Sequence, residues 1–431
     1  MSSSSHSSLI TLHSSLIGVT ALNAQLASLY SLVPPYLDQR GYSVAAVGLL
    51  VAIAFALALL SRLPAGLIYQ RSRARWLLAG SVVAGAAATW LHVVAADLPT
   101  LVVARVVVGA AFGVATTVNF AVFVEDLPPG GARERGLSYY TTGVAGGYAL
   151  GSLASGFVVD ALGYPAAFGL AALFSLATLL ALPASEGRTA TALAAPAPAS
   201  ATGPGDAPAP ASAAPAAEAA AARPAGSPRA ALQPQILVVV AATLLLNVMF
   251  AFWNAYLPLY GLTVGLSLAE VGIIRGLYGI CNVVGRPLCG RFVGAVGPGR
   301  LILASFALQT VLLAIVPLFS ALVPLLLLFV VSGCLRAASV VGTTVGMVGA
   351  SEAGGVPRGV TAGLYNAGVD SGVLLGPAVG GLIAAAVGVG GAFVATPALA
   401  FGAYLLALAV TSHQLSAISH QGGAGGGAPR Q

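Results

Sequence analysis

NAQLASLYSLVPPYLDQRGYS, residues 23–43, returns as NVMFAFWNAYLPLYGLTVGLS, residues 247–267, at a constant shift of 247 − 23 = 224 positions. Asn23 falls on Asn247, Ala27 on Ala251, Pro34 on Pro258, Tyr36 on Tyr260, Gly41 on Gly265 and Ser43 on Ser267. The register runs on ungapped through Gly48 with Gly272 and Arg62 with Arg286 to Gly66 with Gly290. Ala, Gly, Leu and Val match by chance in so apolar a chain, but Asn, Pro, Tyr and Arg at one offset mark an internal duplication.

The 431 residues are 58% hydrophobic and only 7% charged, with a mean hydropathy of +0.93. Soluble domains carry about 25% charged residues, so this is the composition of a polytopic membrane protein. The leading MSSSSHSSLITLHSS has no basic segment ahead of its apolar run and no small-residue cleavage site, so the first helix is expected to be retained. All 18 basic residues are Arg, as codon usage in a GC-rich genome would give. The formal charge of +6 comes without a basic cluster interleaved with aromatics, which argues against a nucleic-acid partner. Cys281, Cys289 and Cys334 sit in apolar stretches without metal-ligand spacing and read as small buried hydrophobes.

A helix needs about 20 mostly apolar residues to cross the hydrocarbon core. Such segments fall at Ser14–Leu37, Val44–Tyr69, Trp76–Ala96, Thr100–Val124, Gly136–Asp160 and Tyr164–Pro183, then at Gln235–Tyr260, Leu268–Phe292, Arg300–Ser320, Leu322–Gly349, Arg358–Val387 and Gly390–Thr411. The expected organisation is an N-terminal tail (1–13), a six-helix bundle (14–183), a linker (184–234), a second six-helix bundle (235–412) and a C-terminal tail (413–431). The linker is an Ala/Pro tract with too few large apolar side chains to bury a core. With the N-terminus inside, cytoplasmic loops and tails hold Arg71, Arg73, Arg75, Arg133, Arg135, Arg188, Arg223, Arg229, Arg291, Arg300, Arg358 and Arg430, and external loops hold Arg40 alone. The positive-inside rule then puts both termini and the linker in the cytoplasm and the chain in the cytoplasmic (inner) membrane.

Two duplicated six-helix halves joined by a long cytoplasmic loop resemble the major facilitator superfamily of secondary transporters. That family's loop signature, G-x-x-x-D-R-x-G-R-R, is similar to GLIYQRSRAR from Gly66, with Gln70 in place of Asp, and to GRFVGAVGPGR from Gly290, with Gly294 at that place. Gly66, Gln70, Arg71, Arg75, Gly290 and Arg291 are thus implied as gating-loop residues. RVVVG (Arg105–Gly109) in the fourth span and the loop EDLPPGGARERG follow the family pattern as well. GVLLGPAVGG (Gly372–Gly381) in the eleventh span matches a glycine-proline pattern of drug/proton antiporters, whereas the fifth span has GVAGGYALGS with Tyr148 in place of Pro. Small residues at this spacing equally serve close helix packing. The resemblance implies an all-α membrane protein of 12 transmembrane helices in two pseudo-symmetric bundles, with substrate bound near the midplane between them. Asn23 and Asn247 would face each other across that pathway.

Charged residues inside a membrane cost about 2.5–3.5 kcal/mol on insertion scales and normally face a cavity or one another. Arg275, Tyr278, Asn282 and Arg286 recur at i, i+3, i+7 and i+11, one stripe of a helix. Tyr30 and Asn254 follow the duplicated Asn by seven residues, with Trp253 and Tyr256 close by. Arg105 and Asn119 stand two heptads apart, and Arg336 and Thr343 one heptad. In the family the first, fourth, seventh and tenth helices line the cavity, so these faces are implied to bind substrate, together with Asn366. Asp370 lies about 18 Å along its helix from the cytoplasmic start, mid-membrane. Either it couples proton movement to transport, with Arg336 and Arg105 as its cationic partners in the pathway, or it forms a permanent ion pair with Arg336 or Arg275. Arg105 and Arg62 are also read as snorkelling or capping carbonyls, and His92 as interfacial.

The expected function is transport of a small organic solute by alternating access, first as proton-coupled efflux by antiport. Uptake of a small organic anion, favoured by the Arg excess, is the alternative, and a non-transporting sensor on the same scaffold is the rival of another class. The expected partners are a small-molecule substrate, protons and the lipid bilayer, and the chain is expected to act as a monomer. No cofactor, metal or enzymatic machinery is expected: neither a phosphate-cradling loop nor a nucleophile with a base is readable.

Overall fold

The computed structural model describes residues 3–127, 131–182, 233–356 and 358–424, and among these every regular element is helical. The first half begins with α1 (Ser3–Gln39), α2 (Val44–Ile68), α3 (Arg71–Val94) and α4 (Leu98–Asp126). A continuous run, Gly131–Ala177, follows; at about 1.5 Å per residue it would be some 70 Å long, twice what a bilayer needs. Gly163 breaks it with φ 83° and ψ 175°, so it is two helices, α5 (131–162) and α6 (164–177). The second half repeats the plan with α7 (Pro234–Thr263), α8 (Leu268–Val296), α9 (Pro298–Ala314) and α10 (Leu322–Ala353). Gly388, φ 77°, divides Arg358–Ala424 into α11 (358–387) and α12 (389–424). Divided at those two glycines, the ten long apolar helices become twelve helical segments among the described residues.

Helix starts follow local chemistry. Ser43 accepts from Ala46 N at the head of α2, Asp97 from Thr100 N at the head of α4, and Ser267 with Glu270 forms a reciprocal capping box on α8. Helix α3 begins directly after Gln70, so Arg71, Arg73 and Arg75 lie in its first turns and not in a loop. Helix α1 starts at Ser3, ahead of the expected boundary, because Ser and Leu offer no helix breaker there. The linker falls outside the described residues except for positions 233 and 234.

The duplication is visible in detailed interactions. Tyr36 donates to the carbonyl of His92 at 3.0 Å and Tyr260 to that of Val316 at 3.2 Å, donor and acceptor both displaced by 224. Gly147 and Gly151 bring α5 onto Thr20 and Ala24 of α1, while Gly372 and Gly376 bring α11 onto Leu244 and Val248 of α7. A Cβ added at Gly151 would lie 2.7 Å from the Ala24 carbonyl carbon, and one at Gly376 2.8 Å from Ala251 Cβ. These glycines of the antiporter-like pattern are therefore occupied in packing helices within each half.

The halves meet through α2 against α11 and α5 against α8. At the end that carries Gly41 and Gly265 they are in close contact. Gly48 of the first half packs on Gly381, Pro377 and the Tyr256 hydroxyl of the second, and Gly272 lies on Ser152. Asp160 of α5 accepts from Leu268 N at 3.3 Å and Ala269 N at 2.8 Å, capping α8 across the interface. The largest apolar cluster, including Val33, Leu50, Leu257 and Val271, joins the halves there. Towards the opposite end of α2 and α8, Gly66 and Gly290 are exposed, and a cavity lies between the halves. Leu63, Trp76 and Leu406 stand out from the surface, as expected where lipid is the solvent.

His92, in the last turn of α3, is fully buried inside the protein and stacked on Phe168 with centroids 5.5 Å apart. Cys334 is exposed and Cys281 and Cys289 are half-buried, so none of the three is a core residue.

Candidate functional site

Between the halves lies a cavity of about 370 Å³. Its walls come from both halves. Asn23, Asn247, Trp253, Asn254, Arg275, Tyr278, Asn282, Arg286, Arg336 and Asp370 of the expected set line it, joined by Arg62, Phe55 and Tyr148. Arg62 and Arg286 are duplicated partners, and both reach the cavity.

The two asparagines have equivalent local bonds: Asn23 Nδ2 donates to Val19 O at 2.8 Å and Asn247 Nδ2 to Thr243 O at 2.7 Å. That fixes each amide by its own helix and leaves Oδ1 for the pathway. On the second side it is used, since Arg336 donates to Asn247 Oδ1 at 2.6 Å and to Leu246 O at 3.2 Å, with its guanidinium 4.8 Å from the Phe250 ring centroid. Arg275 donates to Asn254 Oδ1 at 3.1 Å and, across the halves, to Ser31 Oγ. Trp253 stands edge-on to Tyr278 with centroids 4.5 Å apart. Tyr278 Oη, Asn282 Oδ1, Arg275 Nε and Arg286 Nε are buried without a hydrogen-bond partner.

Asp370 pairs neither with Arg336 nor with Arg275. Its carboxylate accepts from Arg62 Nη1 at 2.6 and 2.5 Å, joining α11 of one half to α2 of the other. Arg62 is thus an inter-half ion-pair partner and no cap on carbonyls. The signal available in the sequence was its duplicate at Arg286; the pairing itself spans 308 positions and belongs to tertiary structure.

Four expected residues lie elsewhere. Arg105 is buried against α2, donating to Leu50 O at 2.9 Å and Val51 O at 3.3 Å, because Gly109 and Gly113 on the same face draw α4 onto Ala54 and Ala58. Asn119 donates to Ser15 O on α1 at 3.2 Å. Tyr30 packs on Phe55, centroids 5.1 Å apart, behind the wall. Asn366 is exposed and lines a separate pocket of about 330 Å³ between α10 and α11. Periodicity found the polar face of α4 but not the neighbour it meets.

The loop residues form a charged cluster at the open end of the first half. Arg71 pairs with Asp126 at 2.9 Å and Glu125 at 3.5 Å, so α3 is tied to α4 without the missing acid at Gln70. Tyr69 donates to Glu125 Oε2 at 2.9 Å; partial burial, then that hydrogen bond and charge, push its phenol up to about 12. Arg75 lies 5.8 Å from the Trp76 ring centroid, while Gly66, Gly290 and Arg291 face outward.

The cavity therefore holds four guanidiniums and one carboxylate. Arg presents a planar fork suited to carboxylate and phosphate, and a charge in low dielectric needs compensation. Such a wall can hold an anion, exchange a carboxylate against it, and, being shared by two bundles, change shape when they move.

Several solved structures share this architecture. One is a bacterial homologue of the human lysosomal transporter Spinster in an inward-facing, unoccupied conformation, with a TM-score of 0.66 at 14% identity over 94% of this chain and 95% of that one. A peptide transporter in complex with sulfate gives 0.67 at 14% identity over 93% and 94%. A third, described with substrate recognition in proton-dependent oligopeptide transporters, gives 0.65 at 15% over 94% and 98%. No curated protein matches the sequence. At such identities the structures carry the fold alone, but the sequence profile of the Major Facilitator Superfamily matches residues 16–357. Two duplicated bundles around a shared polar cavity and a profile match over most of the sequence lead to one conclusion: the chain is a membrane protein belonging to the Major Facilitator Superfamily of transporters.

Proposed function

We propose that this protein takes up a small organic anion across the cytoplasmic membrane together with a proton, by alternating access. The observation that carries the reading is the Arg62–Asp370 pair, held across the halves in a cavity with three further arginines. A proton on Asp370 removes its charge and frees the Arg62 guanidinium. The solute anion then takes the vacated partner, so proton and anion favour each other's binding, which is the requirement for symport. With protons driven inward, symport is uptake. Efflux by antiport draws on Arg105–Gly109, the glycine-rich fifth and eleventh spans and Asp370; Arg105 is bound to carbonyls of α2, the glycines pack helices, and Asp370 serves symport equally. By the Arg asymmetry of the loops, the open end and both termini are cytoplasmic. The open cavity is then the inward-facing state, supported by its similarity to an inward-facing structure.

The test is transport in right-side-out vesicles with and without an acid exterior, for the wild type, Asp370→Asn and Arg62→Gln. Accumulation of an organic anion should rise with the gradient in the wild type and lose that dependence in Asp370→Asn. Accumulation that ignores the gradient, or responds equally in Asp370→Asn, would overturn the reading; loading of everted vesicles instead would return efflux to first place.

A further inference from the structure

Pseudo-symmetry in the cavity is broken at one position. Packing aligns α5 with α11 at a shift of 225, since Gly147 and Gly151 make on α1 the approaches that Gly372 and Gly376 make on α7, and the kinks Gly163 and Gly388 obey the same shift. Arg62 on α2 corresponds to Arg286 on α8 at 224. Asp370 on α11, the partner of Arg62, therefore corresponds to residue 370 − 225 = 145 on α5. That residue is Ala145, and its side chain is part of the cavity wall. The helix pairs are equivalent too, α11 meeting α2 and α5 meeting α8. One duplicated arginine has a carboxylate across the interface; at the position equivalent to that carboxylate the other has a methyl group.

Arg286 has no hydrogen-bond or ion-pair partner among the described residues, and its Nε is buried and unsatisfied. It also borders a recess of about 190 Å³ that it shares with Arg336, Asn247, Thr243, Ser339 and Thr343, with no acid in the lining. Three hydroxyls there are committed, Thr243 donating to Val239 O, Thr343 to Ser339 O and Ser339 to Leu335 O, while Tyr365 Oη accepts from Thr344 and keeps its own proton to give. Asn247 Nδ2 donates to Thr243 O. The charged donors open to an incoming oxyanion are thus those of the guanidiniums, with the Tyr365 hydroxyl and the second N–H of Asn247 as neutral donors beside them.

We propose that a carboxylate or equivalent oxyanion group of the solute docks on Arg286, opposite Ala145, in the place that Asp370 fills on the symmetric side. The inference rests on the organic-anion reading above and assigns that anion its subsite. A carboxylate built into residue 145 then competes with the solute from within the protein.

The experiment measures thermal stabilisation of the purified full chain by acetate, succinate and citrate, for wild type, Ala145→Asp, Ala145→Asn and Arg286→Gln. At least one anion should stabilise the wild type. Ala145→Asp should raise its apparent Kd at least 10-fold above that of Ala145→Asn, and the anion-free Ala145→Asp should melt above Ala145→Asn, because it gains the ion pair. Arg286→Gln should lose the response as well. Equal responses in Ala145→Asp and Ala145→Asn overturn the assignment while leaving the anion reading intact. Should Ala145→Asp fail to fold, a full response retained in Arg286→Gln overturns it alone. Absence of any anion response in the wild type removes the anion reading and the subsite with it.

Discussion

Asp370 and Arg62 concentrate the chemistry of the cavity in one contact. Arg62 is about a third exposed, 38% at the side chain against 20% for Asp370, so water moderates the pair. Its coupling energy should fall between the ~1 kcal/mol of an exposed pair and the ~3–5 kcal/mol of breaking a buried one. A double-mutant cycle of Arg62→Gln and Asp370→Asn, read by chemical denaturation in detergent, should return about 2 kcal/mol; additivity of the two substitutions would show that the pair holds nothing. This contact was half legible. The sequence marked Asp370 as a mid-membrane acid and Arg62 as a duplicated cation, but which guanidinium meets the carboxylate depends on the halves' docking. For Arg105 the carbonyl-capping reading holds and the pathway reading does not, since the carbonyls of Leu50 and Val51 on the neighbouring helix take its guanidinium.

Elements show a second asymmetry. Helix α8 begins with its own capping box and also receives the carboxylate of Asp160 from the opposite half. Helix α2, its duplicate, starts on Ser43 alone, and residue 160 + 225 = 385 on α11 is Ala385. A carboxylate on a helix N-terminus stabilises by about 0.5–2 kcal/mol, so Asp160→Ala should weaken the packed end by that amount. A cysteine-reactive probe applied outside should then label a cysteine at position 152 several-fold faster in Asp160→Ala than in the Asp160 parent. Unchanged labelling would mean that the cap does not hold this end shut. Helix number and order were readable from apolar length and the 224-residue shift. The breaks at Gly163 and Gly388 were readable as the gaps between Gly136–Asp160 and Tyr164–Pro183 and between Arg358–Val387 and Gly390–Thr411, whereas the positive φ that makes each turn is a property of the backbone trace.

At the scale of the molecule, duplication explains most of what the structure does. The same tyrosines bind the same carbonyls, the same glycines close the same helix pairs, and the same asparagines face one cavity. Where the copies differ, at Asp370 against Ala145 and at Asp160 against Ala385, the difference falls on the interface between them. Function is expected to lie in those differences, with the halves acting as rigid bodies that open one end as they close the other. Removing residues 190–229 should leave flux within about twofold of the full chain, provided the shortened linker still spans the halves. Loss of flux with intact folding would give the linker an active role.

The most direct test is a pair of distance measurements by spin labels in proteoliposomes, Gln39 with Leu262 at the packed end and Leu67 with Phe292 at the open end. On adding an organic anion at acid pH, the first distance should lengthen as the second shortens, and Asp370→Asn should no longer couple that change to pH. Distances that move together, or stay fixed in the presence of an anion known to bind, would contradict alternating access in this protein.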